Sequence, residues 1–321
     1  MPKPKSIDEA LDIILDSPRV LVNKNIFLQN EYILKKDNRT PVILMDMSCI
    51  GYMMFFARCS MGKCREEDVQ DTMVYSLLLQ ILNYATLLKS YRIILVWDSR
   101  HSTRKEVYQA YKSARRHVAR PPEEVARMFA MKQALALFRK KIVPLLGFNS
   151  VVKRGYEADD LIAVFAKAHP NTKFIALCND EDIYQLLNRS FSVFNPRQHA
   201  LATPIEFITH YGYQPKYIIV KKAVAGCVSD SVKGVPGIGD KRCYEFIKRS
   251  ISSKYEKLIY ANWKTVLRNK KLVTLPYQGT PLPKIHDFNF DASGFKKVCT
   301  AYGLTTLRNR IDEYKEAFTQ H

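Results

Sequence analysis

The residues of this chain best suited to chemistry are carboxylates, and they recur where a folded sheet would collect them. Three short apolar runs, Val42 to Met45, Arg92 to Trp97 and Lys173 to Cys178, each stop at an acid: Asp46, Asp98 and, just past the third, Asp180. Asp182 follows two residues later. The segment Glu157-Ala158-Asp159-Asp160 precedes the apolar stretch Leu161 to Ala166, and in a helix Glu157 and Asp160 share a face. Singly, each acid could cap a helix or favour its macrodipole. Together, six or more carboxylates on one edge repel strongly unless cations neutralise them. Hard oxygen ligands with no His or Cys cluster favour magnesium or manganese over zinc. Two such ions, about 3.5 to 4 Å apart, can activate water, stabilise a leaving oxygen and neutralise a phosphodiester.

Such a constellation needs an element that aligns it. The three apolar runs read as buried parallel strands separated by helical stretches, which predicts a doubly wound α/β layer with ligands beyond the carboxyl ends of the strands. Ser6 and Glu9 stand in capping-box spacing and predict a helix over 6–16. Pro121-Pro122 is the sharpest break before residue 200. From about residue 201 the pattern is helical with Gly-containing turns and no convincing strand, and Thr203-Pro204-Ile205-Glu206 is a well-formed helix start. The expected division is an N-terminal extension over 1–40, an α/β domain over 41–200 and a helical domain over 201–321.

Charge supplies the second half of the reading. Lys plus Arg number 50 against 31 Asp plus Glu, a formal charge of +19, which favours polyanionic partners through counterion release. Between Asp98 and Pro121 lie Arg100, Arg104, Lys105, Lys112, Arg115, Arg116 and Arg120, interleaved with Tyr108 and Tyr111. Cations that contact phosphate beside aromatics that stack on bases suit a single strand or a frayed end. Downstream, Gly234 to Arg242 (Gly-Val-Pro-Gly-Ile-Gly-Asp-Lys-Arg) reads as a tight loop opening a helix, with Asp240 as its N-cap. With Gly226 and Asp230 upstream it suggests two helices and a loop that grip duplex backbone without reading bases. No run approaches ~18 apolar residues, and the first ten residues carry Pro, Lys and acids where a secretory signal needs an apolar block. The seven scattered cysteines lack C-x-x-C spacing and read as reduced thiols of a cytoplasmic protein with no membrane partner.

In order and spacing, Glu157-Ala158-Asp159-Asp160, Asn179-Asp180-Glu181-Asp182, Gly226 to Asp230 and the glycine loop resemble the 5′ nuclease superfamily. That group holds flap endonucleases, the 5′ nuclease domain of bacterial DNA polymerase and phage 5′ exonucleases, and the likeness leans towards the T-even phage RNase H branch. The resemblance covers about residues 40–315. It implies a mostly parallel α/β sheet with helices on both faces (a PIN-like fold), a helical arch over about 99–135 and a helix-three-turn-helix that holds duplex DNA and a potassium ion. By matching position, Asp46, Asp98, Glu157, Asp159 and Asp160 would build a first metal site, and Asp180, Asp182 and Asp230 a second, for two Mg²⁺ ions that Mn²⁺ can replace. Arg104, Lys112 and Arg115 match arch residues that steer the scissile phosphate, and Gly237, Gly239 and Lys241 match the duplex-gripping loop, with Lys105, Tyr108, Tyr111, Arg116 and Arg242 beside them. The chain departs from the pattern at Met47, Glu181 and Ser231, and at Cys227, where another aspartate is usual.

The expectation is a monomeric, Mg²⁺-dependent 5′ to 3′ exonuclease and flap endonuclease. It would act on duplex DNA with a 5′ end or flap and on RNA–DNA hybrid, removing primers during replication alongside single-stranded-DNA-binding protein, in the host cytoplasm if viral. Two other readings remain: a structure-specific DNA-binding protein with a degenerate site, suggested by Cys227, and a single-strand ribonuclease on a related sheet.

Overall fold

In the computed structural model, residues 3–18, 20, 22–36, 40–61, 63–114 and 119–318 are described. Six strands form the central sheet: β1 (Val42–Asp46), β2 (Ile93–Val96), β3 (Asn149–Val151), β4 (Phe174–Leu177), β5 (Phe191–Asn195) and β6 (Ala200–Ala202). Their order is β3-β2-β1-β4-β5-β6, and every pairing is parallel except β5 with β6. The chain therefore winds outward in one direction from β1 to β3 and in the other from β4, so the sheet reverses its winding between β1 and β4. Crevices at such a switch point open at the carboxyl ends of the strands.

Alternation along the strands feeds two cores. Val42, Leu44, Ile94, Val96, Phe174 and Ala176 face one, with Leu161, Ile162 and Phe165 of the helix Ala158–Ala168; Ile43, Met45, Ile93 and Leu95 face the other, with the helices Met47–Arg58, Val69–Leu87 and Pro122–Leu137. A period of two is what a sheet covered on both sides requires. Burying each such side chain is worth roughly 1.5 to 3 kcal/mol, so strand register is strongly specified.

The cores do not stop at residues 40 or 200. Ala10, Leu11 and Ile14 of the helix Ile7–Leu15 belong to the first core with Val220, Phe246 and Trp263, while Phe295, Leu307 and Phe318 close over the second. Buried Arg92 donates to the carbonyls of Leu34 and Thr40, and the Asn30 side chain bonds both Pro283 O and Ile285 N–H, so this part of the chain is fastened to the start of β2 and to the segment 283–285.

The predicted strands are β1, β2 and β4, and the capped helices at Ser6 and Thr203 form with their side-chain caps. Strands β3, β5 and β6 lay outside that reading. So did a two-stranded ribbon, β7 (Gly226–Cys227) with β8 (Val232–Lys233), inside the part expected to be helical. Gly226 sits at φ +88°, and an added Cβ would lie 2.5 Å from the Gly234 nitrogen, so the ribbon's tightness needs glycine there. Helix Ile218–Val224, this ribbon, the glycine loop and helix Asp240–Ile247 follow one another where the resemblance implies a helix-three-turn-helix.

Candidate active site

Parallel pairing brings the ends of β1, β2 and β4 to one edge. Asp46 closes β1 and caps the helix Met47–Arg58, accepting the Cys49 N–H at 2.9 Å. Asp98, two residues beyond β2, accepts the Ala158 N–H at 2.8 Å and so anchors the start of the helix Ala158–Ala168. Asp180 caps the short turn Glu181–Leu186 through the Asp182 N–H at 2.9 Å. Asp46 and Asp180 are therefore placed by the element that follows their strand, and Asp98 by a helix that starts 60 residues further on. Asp98 and Asp180 are exposed and Asp46 half-buried, and among the described residues none of the three forms an ion pair. Burial, with the charges of Asp98 and Asp180, pushes the Asp46 carboxyl up to about 8. Half-buried Asp159 is also raised, by burial and then by Asp160.

A second set of acids behaves differently. Asp160 is fully buried and receives both terminal nitrogens of Arg104 at 2.6 and 2.7 Å, the Glu157 N–H at 3.0 Å and the Tyr277 N–H at 2.7 Å. Arg104 is itself 1% exposed; it donates Nε to Leu272 O and lies under the Tyr277 ring. Glu157 accepts from Tyr111 Oη at 2.9 Å and Lys112 Nζ at 2.8 Å. Burial alone would raise the Glu157 carboxyl, but Lys112 and Arg104 overcome it and hold it below the ordinary carboxylate range.

Asp182 and Asp230, 6% and 5% exposed, are also attended. Asp182 pairs with Lys222, and Asp230 has Lys112 Nζ at 4.0 Å while its carbonyl accepts the Lys112 N–H at 2.8 Å. Nearby, the Ala114 N–H donates to Ser231 Oγ at 3.0 Å, and Cys227 Sγ meets Ser229 Oγ at 3.1 Å.

The expected two metal groups are thus divided otherwise by the fold. Asp46, Asp98 and Asp180 stand together, whereas Glu157, Asp160, Asp182 and Asp230 are each met by a cation of the chain and Asp159 lies among Asp160, Glu157, Arg104 and Lys112. Among the described residues no three His, Cys, Asp or Glu side chains close into a finished metal cage. The open carboxylates nevertheless fit a divalent cation, because their donors are hard oxygens and their mutual repulsion is what such an ion relieves. Asp160 does not fit: its oxygens are taken up by Arg104 and two backbone N–H groups.

The expected phosphate-binding residues divide as well. Arg104 and Tyr111 are buried and turned onto the acids, not exposed on an arch, since buried Asp160 would be unpaired without Arg104 and Tyr111 bonds Glu157. Lys112 is half-buried on Glu157, Lys105 is exposed, and Tyr108 lies under Arg268 at 4.5 Å. Arg115 and Arg116 lie outside the described residues. In the loop, Gly237 has φ +80° and Gly239, not Asp240, is the N-cap of the helix Asp240–Ile247; nothing would lie within 4 Å of a Cβ at Gly239. Asp240 is occupied by Lys221 at 3.1 Å, Lys241 is exposed, and Arg242 stacks on Tyr255. Lys222 and Tyr277 escaped the sequence reading. Only Lys222 carried a signal, lying four residues before Gly226 on the helix leading to the motif.

A family profile described as "5′-3′ exonuclease, N-terminal resolvase-like domain" matches residues 41–212. Thermostable DNA polymerase I of Thermus thermophilus is 34% identical over 211 residues, 64% of this chain and 24% of the polymerase, so the chain spans about a quarter of that relative's length. A 5′-3′ exonuclease of Buchnera aphidicola is 26% identical over 264 residues, 80% of this chain and 84% of its own. In fold, the chain is similar to T5 5′-exonuclease with bound zinc, with a TM-score of 0.64 at 21% identity, covering 86% of this chain and 99% of that one. The bacteriophage T5 D15 flap endonuclease, in complex with DNA and metal ions, has a TM-score of 0.59 at 21% identity over 88% of this chain and 100% of its own. With more than half its length matched by that profile, on a sheet whose carboxyl edge gathers the acids, this chain belongs to the 5′-3′ exonuclease family of phosphodiester-cleaving nucleases.

Proposed function

We propose that the chain is a Mg²⁺-dependent 5′ to 3′ exonuclease and flap endonuclease of DNA and RNA–DNA duplex ends, which removes primers and adjacent DNA during replication. One observation carries the reading: Asp46, Asp98 and Asp180 sit together at the switch point of a parallel sheet with no cation of the described chain upon them. A hard divalent ion held there, Mg²⁺ or Mn²⁺, would supply Lewis-acid charge to the phosphodiester. The divalent ions and DNA present in the T5 structures support the same assignment.

The rest of the chemistry falls to the chain. Asp98 fixes the helix Ala158–Ala168 through Ala158 N–H and so sets where Asp159 stands. Lys112, half-buried between Glu157 and Asp230, presents a cation at the rim where the scissile phosphate would arrive. Lys105 and Tyr108 would meet the 5′ strand. Gly237, Gly239, Lys241 and Arg242 would hold duplex backbone, with a potassium ion at that loop; the open N-cap at Gly239 leaves helix N–H groups able to face a phosphate. In this division residues 41–200 cleave and residues 201–321 hold the duplex.

The test compares a 5′-labelled flap, a nicked RNA–DNA duplex and a single-stranded RNA, each with Mg²⁺ and with Ca²⁺. Short 5′ products from the first two in Mg²⁺, and binding without product in Ca²⁺, are expected. Binding without product in Mg²⁺ would mark a degenerate DNA-binding protein, and product from the RNA alone a single-strand ribonuclease.

A further inference from the structure

We infer that this chain holds one divalent ion, at Asp46, Asp98 and Asp180, and that the Lys222 ammonium takes the place of a second ion on Asp182. The inference deepens the proposed function and rests on it.

The acids that the sequence motif assigns to a second ion are Asp180, Asp182 and Asp230, with Cys227 where another aspartate is usual. Of these, Asp180 is exposed and lies beside Asp46. Asp182 is 6% exposed and paired with Lys222, whose side chain is 12% exposed, so this ion pair is withdrawn from water. Separating a buried pair leaves each charge unsolvated, and a divalent ion arriving at Asp182 would have to displace the ammonium at that cost. Asp230 is 5% exposed with Lys112 at 4.0 Å.

The remaining position offers little to a hard cation. Cys227 presents a 7% exposed thiol next to Ser229 Oγ, and soft sulfur is a poor donor to Mg²⁺. Replacing a carboxylate by a thiol removes one negative charge, and an adjacent lysine adds one positive charge. Both changes lower the attraction for a second dication. The charge-neutralising function of a second ion is thereby built into the helix Ile218–Val224 as a fixed monovalent cation.

The experiment counts bound ions without asking for activity. Mn²⁺ is titrated into the DNA-free protein and free Mn²⁺ is read by electron paramagnetic resonance, for the natural chain, Lys222→Met and Cys227→Asp, each checked for folding by circular dichroism. One bound Mn²⁺ in the natural chain is expected, rising to two in at least one variant that folds. Two in the natural chain overturn the inference while leaving the proposed function standing. One in all three proteins also overturns it, since Lys222 and Cys227 would then not be what excludes the second ion. None in the natural chain overturns this inference and the metal-dependent function together.

Discussion

Two sets of carboxylates meet at the start of the helix Ala158–Ala168 and are managed in opposite ways. Asp46, Asp98 and Asp180, at the ends of β1, β2 and β4, meet no cation of the described chain, and burial with their mutual repulsion pushes the Asp46 carboxyl up. Glu157 and Asp160, at the start of the helix Ala158–Ala168, are enclosed by Arg104, Tyr111 and Lys112. The enclosed set is satisfied internally by cations and hydrogen-bond donors of the chain. The open set is stored repulsion, which the fold tolerates at its rim and which a ligand of opposite charge can relieve.

The largest effect that would break this contrast comes from the enclosed set. Arg104→Met leaves Asp160 without its buried partner and should cost about 3 to 5 kcal/mol, read by urea denaturation with and without Mg²⁺. A loss below about 1 kcal/mol would show that the pair is not closed as described. Asp98→Asn should act in the opposite direction. Its amide oxygen can still accept the Ala158 N–H while one repelling charge disappears, so metal-free stability should be unchanged or higher by up to about 1 kcal/mol. The same variant should lose the rise in melting temperature that Mg²⁺ gives the natural chain.

Away from the acids, Lys241→Ala should weaken duplex binding and lower the slope of log affinity against log salt by about one. An unchanged slope in fluorescence anisotropy would remove Lys241 from the phosphate contact. The smallest effect concerns pH. His169 stacks on Phe27 and bonds Glu31 at 2.9 Å; burial lowers its pKa, only partly opposed by Glu31. A histidine depressed in the fold contributes stability that is present above its ordinary value of 6.5 and lost as pH falls through the folded one. Glu31, also lowered in net despite its burial because His169 and Lys35 favour its charge, adds a loss of the same sign at lower pH. The melting temperature of the natural chain, measured against His169→Gln, should therefore fall from pH 8 to pH 5, and a constant difference would exclude His169 as the sensor.

Much of this arrangement was legible because it depends on local pattern. Apolar runs ending in Asp46, Asp98 and Asp180 gave β1, β2 and β4, since a parallel strand covered on both faces must be apolar throughout. Thr203 and Ser6 announced their helices because a cap is satisfied within three residues. What stayed hidden is long-range. β3 is three residues long and partly polar, and its place was set by pairing with β2, a contact that sequence spacing does not carry. The partition of the acids was hidden for the same reason. Arg104 reads as one more cation in a basic stretch, yet it is drawn inward by Asp160, 56 residues away, and by Leu272 O, 168 residues away. Asp240 reads as an N-cap, yet it is the first helical residue, paired with Lys221, and extended Gly239 holds the cap position. Pattern located the charged residues, and only packing decided which were already paired.

The most direct test is cleavage of a 5′-labelled flap by Asp98→Asn in Mg²⁺, measured beside gel-shift binding of the same flap in Ca²⁺. The open-edge account expects binding within a few-fold of the natural chain and no detectable product. Cleavage at the natural rate by this variant would contradict it, because the exposed carboxylates at the ends of β1, β2 and β4 would then not be the reaction centre.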